Sequence, residues 1–377
     1  MWKTPLTWGQ TTDATQPQSV PARTVPQAES HSGTSGLVGD RLRAPVASRR
    51  QALARAPDRV IDMSRWARTR TPGPFVLALV LGVTFVVSSS GGMAFAASVS
   101  NSQPAVTYNA FTDPQLVTVR GYSGSAMEPF ISEDGEYLLF NTSNVAPNIP
   151  ALQFATRVGA DTFQYRGAIE GANQPGYLSG TPSMDDYGNL YFVSTRGYAQ
   201  TLSTIYSGRF AAGTVAGVHL VPGVSGGTLG TIDFDVDVSP IGSTLYVSVG
   251  HFDGGPPTSA SLAIFDKFGS GFEPDPDSAT ILRAVNRAGM LTYAASISTN
   301  GLELFFTQAN PAGGEPAIYR AVRAGVGQAF GDVRRVGAVI GYAEAPALSA
   351  DGTTLYYHRL VGSTFQIWTV TRPSPDR

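Results

Sequence analysis

The chain has 377 residues, with 26 basic and 28 acidic side chains and no cysteine. The lack of cysteine excludes disulfides, thiol catalysis, cysteine-ligated metals and a lipid-modified N-terminal cysteine. Residues 97–377 hold 15 basic and 23 acidic residues and one tryptophan, Trp368. This part is therefore acidic and lacks the basic stripe of a nucleic-acid-binding surface, so we expect no nucleic-acid partner.

The first 96 residues predict no folded domain. Residues 1–62 are rich in Pro, Gln, Ser, Thr, Ala and Arg without apolar periodicity, which predicts a disordered extension. Residues 63–96 have the layout of a secretory signal peptide, with a basic stretch after Met63, an apolar run at 75–87 and a small-x-small pattern at 94–96. We therefore expect Met63 to be the true start, with residues 1–62 as a misassigned extension. The alternative is an uncleaved membrane anchor, although a span usually needs about 20 apolar residues.

After cleavage we expect a linker at 97–112 and an exported protein without a stable membrane span, in the periplasm, the cell envelope or the medium.

Five turn glycines in the exported part of the chain mark a repeat. Their spacings of 53, 54, 59 and 51 residues are typical of propeller blades rather than of helical solenoids. The glycines are Gly135, Gly188, Gly242, Gly301 and Gly352.

A short hydrogen-bonding side chain stands three residues before each of these glycines, which suits a tight turn whose glycine has positive φ. These residues are Ser132, Asp185, Ser239, Ser298 and Ser349. A strand rich in aromatic and aliphatic residues follows each glycine, and a third strand follows that one. Fourth strands are predicted at 164–169, 217–221, 280–285 and 333–340.

The last repeat ends without a fourth strand, whereas the segment 115–124 resembles 332–342 in character and in its distance from the next turn glycine. We therefore predict an all-β protein, a five-bladed β-propeller of four-stranded antiparallel blades at 113–374. The N-terminal strand, within 113–123, is expected to close the last blade. Closure would remove the open sheet edges that invite aggregation.

The turns resemble the repeat of TolB-like propellers, a WD-repeat-like unit of exported and cell-envelope bacterial proteins. Glu-Pro-Phe-Ile-Ser-Glu-Asp-Gly at 128–135 and Ala-Pro-Ala-Leu-Ser-Ala-Asp-Gly at 345–352 match it best, with Ile-Tyr at 318–319 and Ile-Trp at 367–368 in third strands. The resemblance covers about residues 110–374. It differs at Tyr187 and Ile241, which replace the Asp before glycine, and in having five repeats where six are common. The chain also lacks the additional N-terminal domain of TolB, so the TolB partners do not carry over.

Asp233, Asp235 and Asp237 alternate along the first strand of the third blade. In a regular strand all three would face the same side, toward the central channel. Three carboxylates there are candidate calcium ligands, because calcium takes oxygen ligands. The favoured interpretation is a solvated acidic channel wall with no cofactor.

Glu128, Asp235 and Glu344 hold similar positions before their turn glycines, Glu344 being offset by one. Five-bladed propellers include glycosidases that use carboxylates from separate blades at the channel mouth. These three residues are therefore the candidate catalytic groups. The three histidines of the exported part, His219, His251 and His358, are widely separated, and each is expected to cap or decorate a strand.

Three loops could bind a partner on the rigid ring, or they are simply tolerated insertions. They span residues 251–257, 268–277 and 308–314. The sequence favours a monomeric, non-catalytic scaffold that binds a protein or a saccharide on a propeller face. The alternative is a carbohydrate-active, glycoside-hydrolase-like propeller that uses the channel carboxylates. An enzyme needs carboxyl groups that converge in a concave site, whereas a scaffold needs only an exposed face.

Overall fold

The computed structural model describes residues 108–374, so the predicted extension, signal peptide and most of the linker lie outside the described part. Two short helices, α1 (Tyr198–Thr201) and α2 (Ser278–Ile281), accompany the strands. Within residues 108–374 no helix has the length and apolar character needed to cross a membrane. The strands, in chain order, are β1 (Thr112–Leu116), β2 (Thr118–Arg120), β3 (Met127–Ile131), β4 (Tyr137–Asn141), β5 (Leu152–Gly159), β6 (Thr162–Ala168), β7 (Ser179–Met184), β8 (Asn189–Ser194), β9 (Ile205–Ala211), β10 (Thr214–Leu220), β11 (Thr231–Val238), β12 (Thr244–Phe252), β13 (Pro257–Phe268), β14 (Gly271–Pro274), β15 (Leu291–Ile297), β16 (Glu303–Ala309), β17 (Ala317–Val322), β18 (Gly331–Arg335), β19 (Ala343–Leu348), β20 (Thr354–Val361) and β21 (Thr364–Thr371).

The strands form the five blades of a β-propeller, as predicted. Blades 1 to 4 are made of β3–β6, β7–β10, β11–β14 and β15–β18, each antiparallel and in sequence order. Blade 5 has the order β19, β20, β21, β1. The predicted ring closure is therefore confirmed, because β1 comes from the N-terminal side of the blades and pairs antiparallel with β21.

The closing segment is shorter than predicted. Pairing with β21 ends at Leu116, opposite Trp368, and β2 then runs parallel to β6 of blade 1. Val117 is buried at this crossover, and its N–H donates to the carbonyl of Ile367. The expected single strand thus divides between the last blade and the first.

The fourth strand predicted at 280–285 is wrong. That segment begins within α2, and the fourth strand of blade 3 is β14, from the segment predicted as a loop at 268–277. Gly269, with φ of 58°, supplies the left-handed residue of the tight hairpin between β13 and β14. Ile281, Leu282 and Val285 are buried together, at a spacing typical of a helix rather than of a strand.

The turn glycines have φ values between 68° and 76°, as the turn prediction requires. The serine three residues earlier fixes the turn, since the Ser132 hydroxyl accepts the N–H of Tyr137 at 2.9 Å and the Ser349 hydroxyl accepts the N–H of Thr354 at 2.9 Å. The core lies mainly between blades. Leu139 of blade 1, for example, belongs to the same buried cluster as Phe192 of blade 2.

Each first strand carries a bulge, seen as a register shift against the second strand, and in blades 1, 2, 4 and 5 the shift begins eight residues before the turn glycine. In blade 3 it begins nine residues before the turn glycine. In four blades the residue seven positions before the turn glycine has left-handed φ of 49° to 54°. These residues are Glu128, Thr181, Ala294 and Ala345. A non-glycine residue in this region stores backbone strain, so neighbouring contacts must hold it.

The holding contact comes from the preceding blade, and we name it the bulge clasp. The N–H of the bulge residue donates to a side chain that lies six residues after the turn glycine of that blade. The four clasps are Thr181 to Asn141 Oδ1 (3.0 Å), Ala294 to Ser248 Oγ (2.9 Å), Ala345 to Thr307 Oγ1 (3.0 Å) and Glu128 to His358 Nδ1 (3.0 Å).

Candidate functional site

A cavity of about 1130 Å³ lies at the end of the ring where the first strands begin. Residues from all five blades line it, together with the loops that follow several second strands. Aromatic side chains form much of its wall, and these are Tyr177, Tyr198, Phe234, Phe252, Tyr293, Tyr342 and Phe365. Amide side chains lie between them, at Asn144, Asn148 and Gln200. The cavity therefore combines apolar faces with hydrogen-bonding groups, as ligand pockets do.

The three candidate catalytic residues all line this cavity. Glu128 and Asp235 stand seven residues before their turn glycines, and Glu344 stands eight before its own. They come from blades 1, 3 and 5, so only ring formation brings them together. The bulges place these positions at the inner edge of the ring.

Glu344 is held by side-chain donors. Its Oε2 lies 3.2 Å from Nε2 of His358, its register partner on β20, and its Oε1 accepts a short hydrogen bond from the hydroxyl of Tyr293. The Tyr342 hydroxyl contacts the same carboxylate. Burial and the charge of Glu344 both raise the pKa of Tyr293, so its hydroxyl remains a donor. Three side-chain donors therefore orient the Glu344 carboxylate.

Glu128 and Asp235 have different surroundings. Neither side chain has a hydrogen-bond donor among residues 108–374. Burial, with the charges of Asp235 and Glu344, raises the pKa of Glu128 to about 8, although His358 opposes the rise. Glu128 keeps some exposure to the cavity, and the protein surrounds the rest of its side chain. Burial, followed by the charge of Asp237, raises the pKa of Asp235 well above its usual range. Both groups therefore favour the protonated form at neutral pH.

The three aspartates proposed as calcium ligands do not share one setting. The register of β11 shifts between Asp233 and Asp235, which breaks the alternation on which the expectation depended. Asp237 accepts the N–H of Ile297 at 2.8 Å and the hydroxyl of Ser183 at 3.0 Å, so its carboxylate joins blades 2, 3 and 4. Among residues 108–374, no three His, Asp or Glu side chains are grouped as metal ligands.

His358, Tyr293 and Tyr342 belong to the site but were not identified from the sequence. His358 was expected only to cap or decorate a strand. One signal was available, since His358 stands six residues after Gly352, where other blades have Asn141, Ser248 and Thr307. The predicted recognition loop at 251–257 does line the cavity, through His251, Asp253 and Pro256 among others.

No protein-family model matches the chain, and no curated protein matches it in sequence. Solved structures with a similar fold include TolB from Acinetobacter baumannii (13% identity, TM-score 0.37), where the alignment covers 67% of this chain and 56% of TolB, so the chain spans only about half of that protein. The catalytic domain of the GH62 α-L-arabinofuranosidase from Coprinopsis cinerea is also similar (11% identity, TM-score 0.44, 71% of this chain and 97% of that domain). So is Zg3597, a family 117 glycoside hydrolase produced by Zobellia galactanivorans (12% identity, TM-score 0.44, 70% and 90%). Similarities of this size identify neither a family nor an activity. The function has to follow from the residues of the cavity.

Proposed function

We propose that the protein binds a saccharide in the cavity at the channel mouth and hydrolyses a glycosidic bond there. The observation that carries the proposal is the contrast between two carboxyl groups in one cavity, an unpartnered Glu128 and a Glu344 held by three donors. Environments that separate the protonation states of two acids supply both an acid and a base.

The wall of the cavity suits a neutral polyhydroxylated ligand. Aromatic rings such as Tyr177 and Tyr198 offer apolar faces, and amides such as Asn144 and Gln200 offer donors and acceptors for hydroxyl groups. Among the described residues that line the cavity there is no Lys or Arg. Carboxyl groups without basic neighbours disfavour anionic ligands such as sugar phosphates or uronates.

The chemistry follows from the two environments. Glu128 is protonated at neutral pH because burial raises its pKa to about 8, and it can protonate the departing glycosidic oxygen. Glu344 is oriented by Tyr293 and His358 and serves as the base or the nucleophile.

A non-catalytic binding module is the interpretation that the sequence favoured, and the same cavity would serve it. We place hydrolysis first because a module that only binds has no need of one unpartnered carboxyl beside another that is held by several donors. Unpartnered buried carboxyls lower stability and persist most often at functional sites. Saccharide binding without hydrolysis would favour the non-catalytic binding module instead.

The test uses the full chain, the Glu128→Gln variant and the matched control Glu136→Gln, whose side chain is exposed on a turn. Reducing-sugar release from a panel of neutral polysaccharides identifies a substrate, and calorimetry measures binding. We expect Glu128→Gln to lower kcat by about 10²–10⁴-fold with little change in affinity, and Glu136→Gln to behave as wild type. The absence of any saccharide binding would overturn the proposal, and binding without hydrolysis by the wild type would overturn its catalytic half.

A further inference from the structure

We propose that His358 is the positioning residue of the site, because one buried imidazole holds both the Glu344 carboxylate and the Glu128 backbone across the seam between blades 5 and 1. The inference rests on the proposed function for its catalytic consequence, but the geometry itself can be tested without a substrate.

Comparison between blades separates a general structural role from a special one. Asn141, Ser248, Thr307 and His358 all occupy the clasp position and accept the N–H of a bulge residue. Three of the four do so with a small side chain. A clasp alone therefore does not require histidine. Only His358 carries a second ring nitrogen, and this nitrogen lies 3.2 Å from Oε2 of Glu344.

The two contacts fix the protonation of the ring. Nδ1 accepts the N–H of Glu128, so the single proton of the neutral imidazole is on Nε2, where it donates to Glu344. Burial lowers the pKa of His358, but Glu344 and Glu128 raise it more. A second proton would have to enter at Nδ1 and break the clasp, so the ring stays neutral while the clasp is closed.

The surroundings leave the ring no alternative orientation in this geometry. His358 is fully buried, and the Phe365 ring packs edge-on against it at 5.2 Å between centroids. Glu128 and Glu344 are the carboxyls that act on it electrostatically. Glu128 has φ of 51°, so without the clasp its strained backbone would lose a partner. The Nδ1 contact thus stabilises the Glu128 backbone, and the Nε2 contact orients the Glu344 carboxylate.

Two variants of His358 each keep one of its two contacts and lose the other. An Asn side chain places its amide oxygen near Nδ1, as Asn141 shows in blade 1, and so keeps the clasp while losing the bond to Glu344. A Gln side chain places its amide nitrogen near Nε2 and so keeps the Glu344 bond while losing the clasp. We expect His358→Asn to lower kcat by about 10–100-fold with a melting temperature close to wild type. We expect His358→Gln to retain kcat within about 10-fold while its melting temperature falls by several degrees, from the loss of one buried hydrogen bond.

A purely structural role for His358 predicts the reverse order, with His358→Gln the less active variant, and that result would overturn the proposal. His219→Gln, at an exposed site, is the control.

If the wild type proves inactive, the proposed function fails, but ¹⁵N NMR of the histidine rings at pH 7.5 still tests the role of His358. It predicts a protonated Nε2 and an unprotonated Nδ1 for His358, with an Nε2 resonance that moves in Glu344→Gln. An Nδ1–H ring, or an Nε2 resonance indifferent to Glu344→Gln, would contradict it.

Discussion

The carboxyl groups around the channel differ in what each of them contacts. Glu344 has side-chain donors, Asp237 has a backbone N–H and a serine hydroxyl, and Glu128 opens into the cavity. Asp233 is 1% exposed, and neither of its carboxyl oxygens has a hydrogen-bond partner among residues 108–374. Burial raises the pKa of Asp233 to about 7.

Replacement of Asp233 by Asn should stabilise the protein at alkaline pH. The unfolded chain releases this proton near the ordinary pKa of 3.8 and the folded chain only near 7, so the carboxyl lowers stability progressively between these values. The gain in Asp233→Asn should be small at pH 4.5 and reach several degrees of melting temperature at pH 8. Asp253→Asn, at an exposed loop position, is the control. An equal gain at both pH values would show that ionisation of Asp233 is not the cause.

Calcium should have no effect on thermal stability. Asp237 is already bonded to Ile297 and Ser183, and the bulge separates the settings of Asp233 and Asp235. We expect calorimetric melts recorded with about 5 mM calcium, a concentration that saturates typical extracellular calcium sites, to superimpose on melts recorded with EDTA. A calcium-dependent rise in melting temperature, abolished in Asp235→Asn, would restore the metal interpretation.

At the scale of elements, arginines near the ends of the third strands tie the turns to neighbouring blades. The Nε groups of Arg157, Arg323 and Arg372 donate to the carbonyls of Gly135, Gly301 and Gly352. Arg157 and Arg323 also reach a tyrosine hydroxyl of another blade. Arg372 instead forms a bidentate salt bridge with Glu303 of blade 4, and both side chains are buried.

Removal of Arg372 should therefore be costly. Arg372→Ala leaves Glu303 in a buried setting where, among residues 108–374, only Arg320 at 3.6 Å remains as a cation. We expect a loss of about 3 kcal/mol in the free energy of unfolding. Arg334→Ala removes an exposed pair with Asp332 and should cost less than about 1 kcal/mol. Urea unfolding of the two variants measures the difference. Equal losses would contradict a structural role for the buried pair.

Local patterns predicted most elements and failed where the chain departed from its own repeat. The serine-to-glycine turns and the strands after them depend on residues close in sequence, so they were predictable. The α2 segment was predicted as a strand because a helix of 4 residues shows no helical period over several turns, and β14, also of 4 residues, is too short to stand out. Glu128, Asp235 and Glu344 were found by alignment on the turn glycines. His358 and Tyr293 were missed because their contacts with Glu344 and Glu128 cross strands and blades, which no local pattern reveals.

At the scale of the whole molecule, several buried acids titrate together. Burial raises the pKa of Glu128 to about 8 and those of Asp233 and Asp237 to about 7, and it raises that of Asp235 as well. For each acid the folded state holds its proton longer than the unfolded state, so stability falls as pH rises toward 8.

The protein should consequently be more stable at pH 5 than at pH 8. We expect a melting temperature higher by at least about 5 °C at pH 5, measured by calorimetry at constant ionic strength. The triple variant Glu128→Gln, Asp233→Asn, Asp235→Asn should lose most of this dependence. A wild type whose stability is flat or increases between pH 5 and pH 8 would contradict the assignment of these carboxyls as protonated in the fold.

The ring also explains why the cavity exists only in the complete fold. Its three carboxyls come from blades 1, 3 and 5, and the pairing of β1 with β21 joins the two ends of the described chain in blade 5. The contact between His358 and Glu128 crosses the same seam. Closure of the ring and assembly of the site are therefore one event.

The structure of the Glu128→Gln variant with an oligosaccharide, chosen by the binding screen, tests the central claim most directly. The account predicts a saccharide in the channel-mouth cavity, with a glycosidic oxygen within hydrogen-bond distance of the residue 128 side chain and the Glu344 carboxylate on the other side of the scissile bond. A saccharide bound on an outer face, away from Glu128 and Glu344, would contradict it.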